Sequence, residues 1–208
     1  MYMNNNFYLP GDKPHQNIID EIIRVDHSGE YGAIKIYQGQ ILARKHLAKL
    51  YQKQNNIKHH KFLQTLQKMH DSELPHYEFF QNLMHLRKSR PSFMLPFWSI
   101  SGFIIGYITG IASMDVAMAC TVGIEEIIGN HYNEQLTIVK EMMEHDGKLY
   151  NEVLLSSLYQ KIEQFMHDEL EHLNIGINNS AEKMCGYFYF NMLVKSITKC
   201  AISIAKNI

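Results

Sequence analysis

The chain has 208 residues, of which 46% are apolar and 20% are charged, and its formal net charge is −1. This length fits one domain with a sizeable core, and the near-neutral charge argues against nucleic acid as a partner. The three cysteines have no C-x-x-C spacing, which argues against a disulfide framework and a cysteine-held zinc site and favours a reducing compartment.

The order of elements along the chain predicts an all-α fold. Residues 1–15 are polar, without a secretory or transit pattern, and are expected to form an irregular N-terminal arm. Apolar residues then recur at helical spacing, and no β pattern of any strength is present. We predict helices at about residues 17–51, 58–88, 113–144, 148–175 and 180–206, with a turn at 144–147.

Four motifs predict the ligand set of a di-metal site. Their order along the chain is Glu, Glu-x-x-His, Glu, Glu-x-x-His, and their members are Glu30, Glu73 with His76, Glu125, and Glu169 with His172. The first Glu precedes its Glu-x-x-His by 43 residues and the second by 44, as two similar helical hairpins would require. Carboxylate-bridged di-iron sites in four-helix bundles use this set, and residues three apart share a helix face. The alternative is that these are charged surface positions on long helices.

Two ligand choices stay open at this level. Glu125 and Glu126 lie about 100° apart on a helix, so only one can point well inward. Glu169 and Glu171 pose the same question, although only Glu169 forms a Glu-x-x-His. Pro75 lies inside the first Glu-x-x-His, where it should kink the helix.

Ligating histidines should donate their second ring N–H to a neighbouring acceptor. The candidates are Asp26, Glu126 and Asp168. His131 and three other histidines near the motifs are expected to support the site or to be structural, and the other three are His27, His70 and His167. Mixed carboxylate and imidazole ligands suit iron or manganese.

The segment 92–112 is expected to be a long apolar crossover between the two hairpins. Residues 92–114 carry no charged side chain, so the segment is long enough to be a candidate membrane span. A span would place the two hairpins on opposite sides of the bilayer, and their glutamates could not share a site. We therefore expect it to lie against a membrane surface, with an internal crossover as the alternative. The C-terminal helix at 180–206 is amphipathic and basic, which suits the same surface.

Three strings of residues resemble the demethoxyubiquinone hydroxylases of ubiquinone biosynthesis, the Coq7/Cat5 family. They are RVDHSGEYGAIKIYQGQ at 24–40, AMACTVGIEEIIGNHYNEQL at 117–136 and HDELEHLNIG at 167–176. The resemblance extends through PFWSISGF at 96–103 and covers nearly the whole chain from about residue 17. It aligns all six candidate ligands with the family's iron ligands and selects Glu125 over Glu126.

The resemblance implies a ferritin-like four-helix bundle of two hairpins, with residues 16–208 as one di-iron domain. It implies a monooxygenase with two iron ions per chain that hydroxylates a demethoxyubiquinol-type polyprenyl quinol with O₂, using NADH as the reductant. The expected partners are the quinol, a membrane surface and other ubiquinone-biosynthesis proteins, with no nucleic acid. The expected location is peripheral, on the cytoplasmic face of a bacterial inner membrane or on the matrix side of the mitochondrial inner membrane. The alternatives are a ferritin-like protein that stores iron or detoxifies peroxide, and a membrane di-iron quinol oxidase.

Overall fold

A computed structural model of the chain describes residues 14–50, 57–146 and 152–207. This part of the chain is helical and contains no strand, which confirms the all-α, ferritin-like fold class. The helices are α1 (Pro14–Leu50), α2 (Ile57–Arg87), α3 (Leu95–Ala112), α4 (Met114–Asp146), α5 (Glu152–Asn178) and α6 (Tyr187–Asn207). Helix α1 starts inside the predicted arm, and residues 1–13 of that arm lie outside the described residues, as does Gly147 of the predicted turn.

The helices fall into two compact units. The first unit comprises the described residues of Met1–Ile111 and Cys200–Ile208, and the second comprises those of Ala112–Lys199. The first unit therefore contains α1, α2, nearly all of α3 and the end of α6. The second contains α4, α5 and the beginning of α6.

In the first unit, α1 and α2 form an antiparallel hairpin. Residue numbers that increase along α1 meet residue numbers that decrease along α2. Asp20 contacts Arg87, Gln38 contacts His70 and Arg44 contacts His59. Large side chains of the two helices are fully buried, among them Ile23, Tyr37, Leu66 and Phe80. Their burial is the main source of stability for the hairpin, at about 25 cal/mol for each Å² of apolar surface removed from water.

Helix α3 lies along α1 in the same direction, with glycines at the contact. The glycines at 102, 106 and 110 meet α1 successively at Gly32, Ile36 and Gln40. A Cβ atom at Gly106 would overlap the carbonyl oxygen of Ile36, so the two backbones touch there. The opposite face of α3 is exposed and apolar, and we call it the α3 stripe: Phe97, Ile100, Ile104, Ile108 and Ile111.

In the second unit, α4 and α5 pack against each other. A Cβ atom at Gly176 of α5 would lie 2.6 Å from the side chain of Val122 on α4. Helix α6 packs on a different side of α4, because a Cβ atom at Gly123 would lie 2.8 Å from the side chain of Val194. The second hairpin therefore has the same two-helix construction as the first.

The C-terminal helix begins later than the sequence predicted. It was expected from about residue 180, but α6 begins at Tyr187, after a short 3₁₀ turn at Ala181–Lys183. The reason is backbone conformation: Ser180 and Gly186 have φ angles of 74° and 75°, which a right-handed helix cannot contain. In the first unit, the Arg24 guanidinium then caps the last turn of α6 through the carbonyl oxygens of Ala205 and Lys206.

Helix α2 runs through Pro75 without ending. Pro75 is exposed and has no N–H for the carbonyl of Asp71, so it lowers the stability of α2. Pro75→Ala should raise the free energy of unfolding by about 1–3 kcal/mol and leave iron content unchanged. Urea unfolding and iron analysis of both proteins would check this, and loss of iron in the variant would show that Pro75 shapes the ligand positions.

Candidate metal centre

The first unit brings together three of the sequence-predicted ligands. Glu30 comes from α1, and Glu73 and His76 come from α2; each is at most 2% exposed. The His76 Nδ1 atom lies 3.5 Å from Glu30 Oε2 and 3.4 Å from Glu73 Oε2. One ligand atom from each residue lies within 4.8 Å of the others. The continuous helix through Pro75 is what keeps Glu73 and His76 on this face.

The second unit repeats the arrangement. Glu125 comes from α4, and Glu169 and His172 come from α5; each is at most 3% exposed. The His172 Nδ1 atom lies 3.2 Å from Glu169 Oε2. Again, one ligand atom from each of the three residues lies within 4.8 Å of the others.

The environments of the neighbouring glutamates differ sharply. Glu126 is half-exposed, and its carboxylate forms an ion pair with Lys195 on α6, with 2.6 Å between Glu126 Oε2 and Lys195 Nζ. Glu171 is exposed, whereas Glu169 is buried. Burying a carboxylate costs several kcal/mol unless a positive charge compensates it. The buried carboxylates of Glu125 and Glu169 therefore need a nearby cation, and the carboxylates of Glu126 and Glu171 do not need a metal ion.

The three candidate ligands of each unit are thus two buried carboxylates and one imidazole, with no thiolate among them. Oxygen and nitrogen donors of this kind fit iron or manganese, and divalent cations would compensate the buried negative charge. The donor set of each unit therefore fits a metal ion.

The residues that were expected to support the ligands occupy different environments. Asp26 is buried, and Asp168 is half-exposed. His131 lies 2.9 Å from the Gln135 amide nitrogen, one turn further along α4. Their roles toward the ligating histidines stay predictions.

Sequence reasoning missed an uncharged aromatic cluster beside the first three ligands. The ring of Tyr77 lies 4.8 Å from the ring of His27 and 5.4 Å from that of Tyr31, and the Ser99 hydroxyl of α3 is 3.5 Å from the Tyr31 hydroxyl. Burial lowers the pKa of His27 to about 4, with His85 adding to the shift. Burial also raises the pKa of Tyr77. The sequence did contain an indication of this cluster, because Tyr31 directly follows Glu30 and Tyr77 directly follows His76.

The lowered pKa of His27 predicts a loss of stability in acid. Between about pH 6.5 and pH 4 the unfolded chain binds a proton at this residue that the folded chain excludes, so the free energy of unfolding falls as pH falls. A single proton limits the slope to about 1.4 kcal/mol per pH unit. Urea unfolding of the metal-free protein at pH 7.5 and pH 5 should show a steeper pH dependence for the natural chain than for His27→Gln. Equal slopes would contradict the prediction.

An all-α, ferritin-like fold with two buried carboxylate and imidazole clusters defines the class of carboxylate di-metal proteins. Comparison with known proteins gives the family. Residues 17–205 match the family model described as ubiquinone biosynthesis protein COQ7, and the chain belongs to this family.

Curated relatives are similar over nearly the whole chain. A Bos taurus protein named NADPH-dependent 3-demethoxyubiquinone 3-hydroxylase, mitochondrial, is 35% identical over 95% of this chain and 81% of its own length. A Rhodospirillum rubrum protein named 3-demethoxyubiquinol 3-hydroxylase is 33% identical over 96% of this chain and 83% of its own. A Saccharomyces cerevisiae protein named 5-demethoxyubiquinone hydroxylase, mitochondrial, is 34% identical over 91% and 78%.

Proposed function

We propose that this chain is a monooxygenase of ubiquinone biosynthesis that hydroxylates the ring of a demethoxyubiquinol-type polyprenyl quinol with O₂. Membership of the family and the hydroxylase relatives from cattle, yeast and a bacterium support this activity. The structural observation that carries it is the pair of buried Glu, Glu and His clusters. The resemblance of the sequence to the demethoxyubiquinone hydroxylases implied the same reaction.

We further propose that residues 16–208 act as one di-iron domain. Glu30, Glu73 and His76 in the first unit, and Glu125, Glu169 and His172 in the second, would hold two iron ions. When bound, reduced iron supplies the activation of O₂ that an aromatic hydroxylation needs. The chain itself holds the ligands on four helices, and the burial of all six limits the access of water to them.

The reductant is proposed to be a reduced nicotinamide nucleotide, with NADH as the sequence-based expectation. The names of several relatives specify NADPH for those proteins. Both nucleotides therefore belong in the assay, and the ratio of their kcat/KM values decides between them.

The activity can be tested with the purified, iron-loaded chain and a short-tailed demethoxyubiquinol under ¹⁸O₂. We expect the product to gain one ¹⁸O atom on its ring, detected by mass spectrometry. In cells that lack their own hydroxylase, the chain should also remove the accumulated demethoxy quinone. Glu169→Ala is the matched inactive control.

Two experimental results would contradict this function and indicate a different one. Consumption of O₂ to water without a labelled ring would indicate a quinol oxidase. A large soluble shell that accumulates iron would indicate storage.

The α3 stripe supports a peripheral position on a membrane. By length and composition alone, α3 is the one helix in the described residues that could cross a bilayer. Its glycine face is occupied by α1, and α1 carries charged residues along this contact, including Lys35 and Arg44. A spanning α3 would draw these charges into the bilayer, so we propose that only the stripe enters the interface.

The start of α6 offers a second exposed apolar surface, formed by Phe188, Tyr189, Met192, Leu193 and Ile197. A polyprenyl quinol resides in the bilayer, so its hydroxylase needs such contacts. The proposed location is the cytoplasmic face of a bacterial inner membrane, or the matrix side of the mitochondrial inner membrane, where other ubiquinone-biosynthesis proteins are the proposed partners.

Peripheral binding predicts a specific loss of affinity for vesicles. Ile104→Glu with Ile108→Glu should reduce flotation with liposomes at least tenfold, because two charges would enter the apolar interface. Asn82→Glu with Gln160→Glu adds the same charge at exposed polar positions and should float normally. Alkaline carbonate should release the natural chain from membranes, and its retention there would indicate a spanning helix.

A further inference from the structure

Within the described helices, the buried hydroxyl of Thr121 lacks the hydrogen bond that the buried hydroxyls of Ser28 and Thr109 make. In the described part of the chain, helical serine and threonine side chains donate to the carbonyl oxygen one turn back at eight positions: Ser28, Thr65, Ser72, Ser101, Thr109, Thr137, Ser196 and Thr198. Thr121 in α4 is 1% exposed, yet its hydroxyl has no hydrogen-bond partner among the described residues. Thr109 is the closest comparison, because it is 6% exposed and fully bonded.

An unpaired buried hydroxyl destabilises a folded protein, since it gives up its bonds to water and gains none. Thr121 could have avoided this by donating to the carbonyl one turn back, as Thr109 does. Neighbouring residues on α4 are apolar and buried, including Met118, Cys120 and Val122.

The position of Thr121 relates it to the candidate metal centre. It precedes Glu125 by four residues, which is one helical turn and about 40° around the helix axis. Thr121 and Glu125 therefore share a face of α4. The branched threonine side chain has two common rotamers in a helix, so its hydroxyl has few available positions on that face.

We propose that Thr121 is a positioning residue for the substrate, and that its hydroxyl forms a hydrogen bond with an oxygen atom of the quinol ring. This inference rests on the proposed function. The ring carries hydroxyl and methoxy oxygens, and a threonine hydroxyl can donate to either and accept from the former. A single bond from a rigid helix fixes the rotation of the ring and thereby selects the carbon that is hydroxylated. In the protein without substrate the hydroxyl has no partner, which lowers the stability of the fold until the quinol binds.

Three variants separate this role from a structural one. Thr121→Val keeps the side-chain shape and removes the hydroxyl, and Thr121→Ser keeps the hydroxyl. Thr109→Val removes a buried hydroxyl that has its partner. In the metal-free protein without quinol, Thr121→Val should raise the unfolding temperature by about 2–4 °C, whereas Thr109→Val should not raise it.

With substrate, Thr121→Val should be the impaired variant, because it lacks the hydroxyl that binds the quinol. In the iron-loaded protein without O₂, Thr121→Val should bind a short-tailed demethoxyubiquinol roughly five- to tenfold more weakly, and Thr121→Ser should restore most of the affinity. During turnover Thr121→Val should raise KM more than it lowers kcat, and a larger share of the O₂ should appear as hydrogen peroxide.

Two outcomes would overturn the assignment. A lower unfolding temperature in Thr121→Val would show that the hydroxyl has a partner within the protein. Unchanged quinol affinity and KM in that variant would show that it does not touch the ring. Failure of the natural chain to bind or hydroxylate the quinol is a separate result, which would reject the proposed function itself.

Discussion

Glu169→Ala is expected to lose most of the bound iron and all hydroxylation, whereas Glu171→Ala should keep both. Glu169 is 1% exposed and lies 3.2 Å from His172, while Glu171 is exposed. Two residues apart on a helix, the two side chains point about 160° apart. Removing the buried carboxylate would take away a proposed metal ligand together with the negative charge that balances the metal ion.

Iron per chain, circular dichroism and ¹⁸O incorporation should be measured on both variants and the natural chain. In the metal-free state, Glu169→Ala should unfold at the same temperature as the natural chain or higher, because a buried charge has been removed. That result would show that its lost iron does not come from misfolding. If Glu171→Ala were the damaging change, the second ligand pair would be misassigned.

The two hairpins and the six ligand candidates could be predicted because they depend on local spacing. A helical period places Glu73 beside His76 and Glu169 beside His172 without any knowledge of tertiary contacts. The near-equal spacing of the two halves then indicated two similar hairpins. The family predicted from the motif strings is confirmed by the match over residues 17–205.

Features that depend on distant partners could not be predicted. Glu126 forms an ion pair with Lys195, which lies 69 residues further along the chain. Helix α3 contacts α1 through glycines, and the sequence did not show which helix these glycines would contact. The late start of α6 has a local cause, the positive φ of Gly186, but the sequence did not reveal that conformation. The lack of a hydrogen-bond partner for the Thr121 hydroxyl can be recognised only from the positions of the surrounding atoms in the folded protein.

Gly106→Ala is expected to destabilise the first unit by about 1–3 kcal/mol, since it forces α3 away from α1. The new Cβ atom would overlap the Ile36 carbonyl oxygen and lie 2.7 Å from the carbonyl carbon. Both are backbone atoms, so no side-chain rotation can make room. Alanine favours a helix over glycine by about 1 kcal/mol, which offsets only part of this cost.

Gly29→Ala is the matched control for that prediction. Gly29 lies inside α1, and a Cβ atom there would meet nothing within 4 Å. The same chemical change should therefore stabilise the protein by up to about 1 kcal/mol. Urea unfolding gives both free energies, and limited proteolysis should cut Gly106→Ala faster within α3 than either the natural chain or Gly29→Ala. If Gly106→Ala were as stable as Gly29→Ala, the direct backbone contact between α1 and α3 would be wrong. The support that this contact gives to a peripheral α3 would then be lost as well.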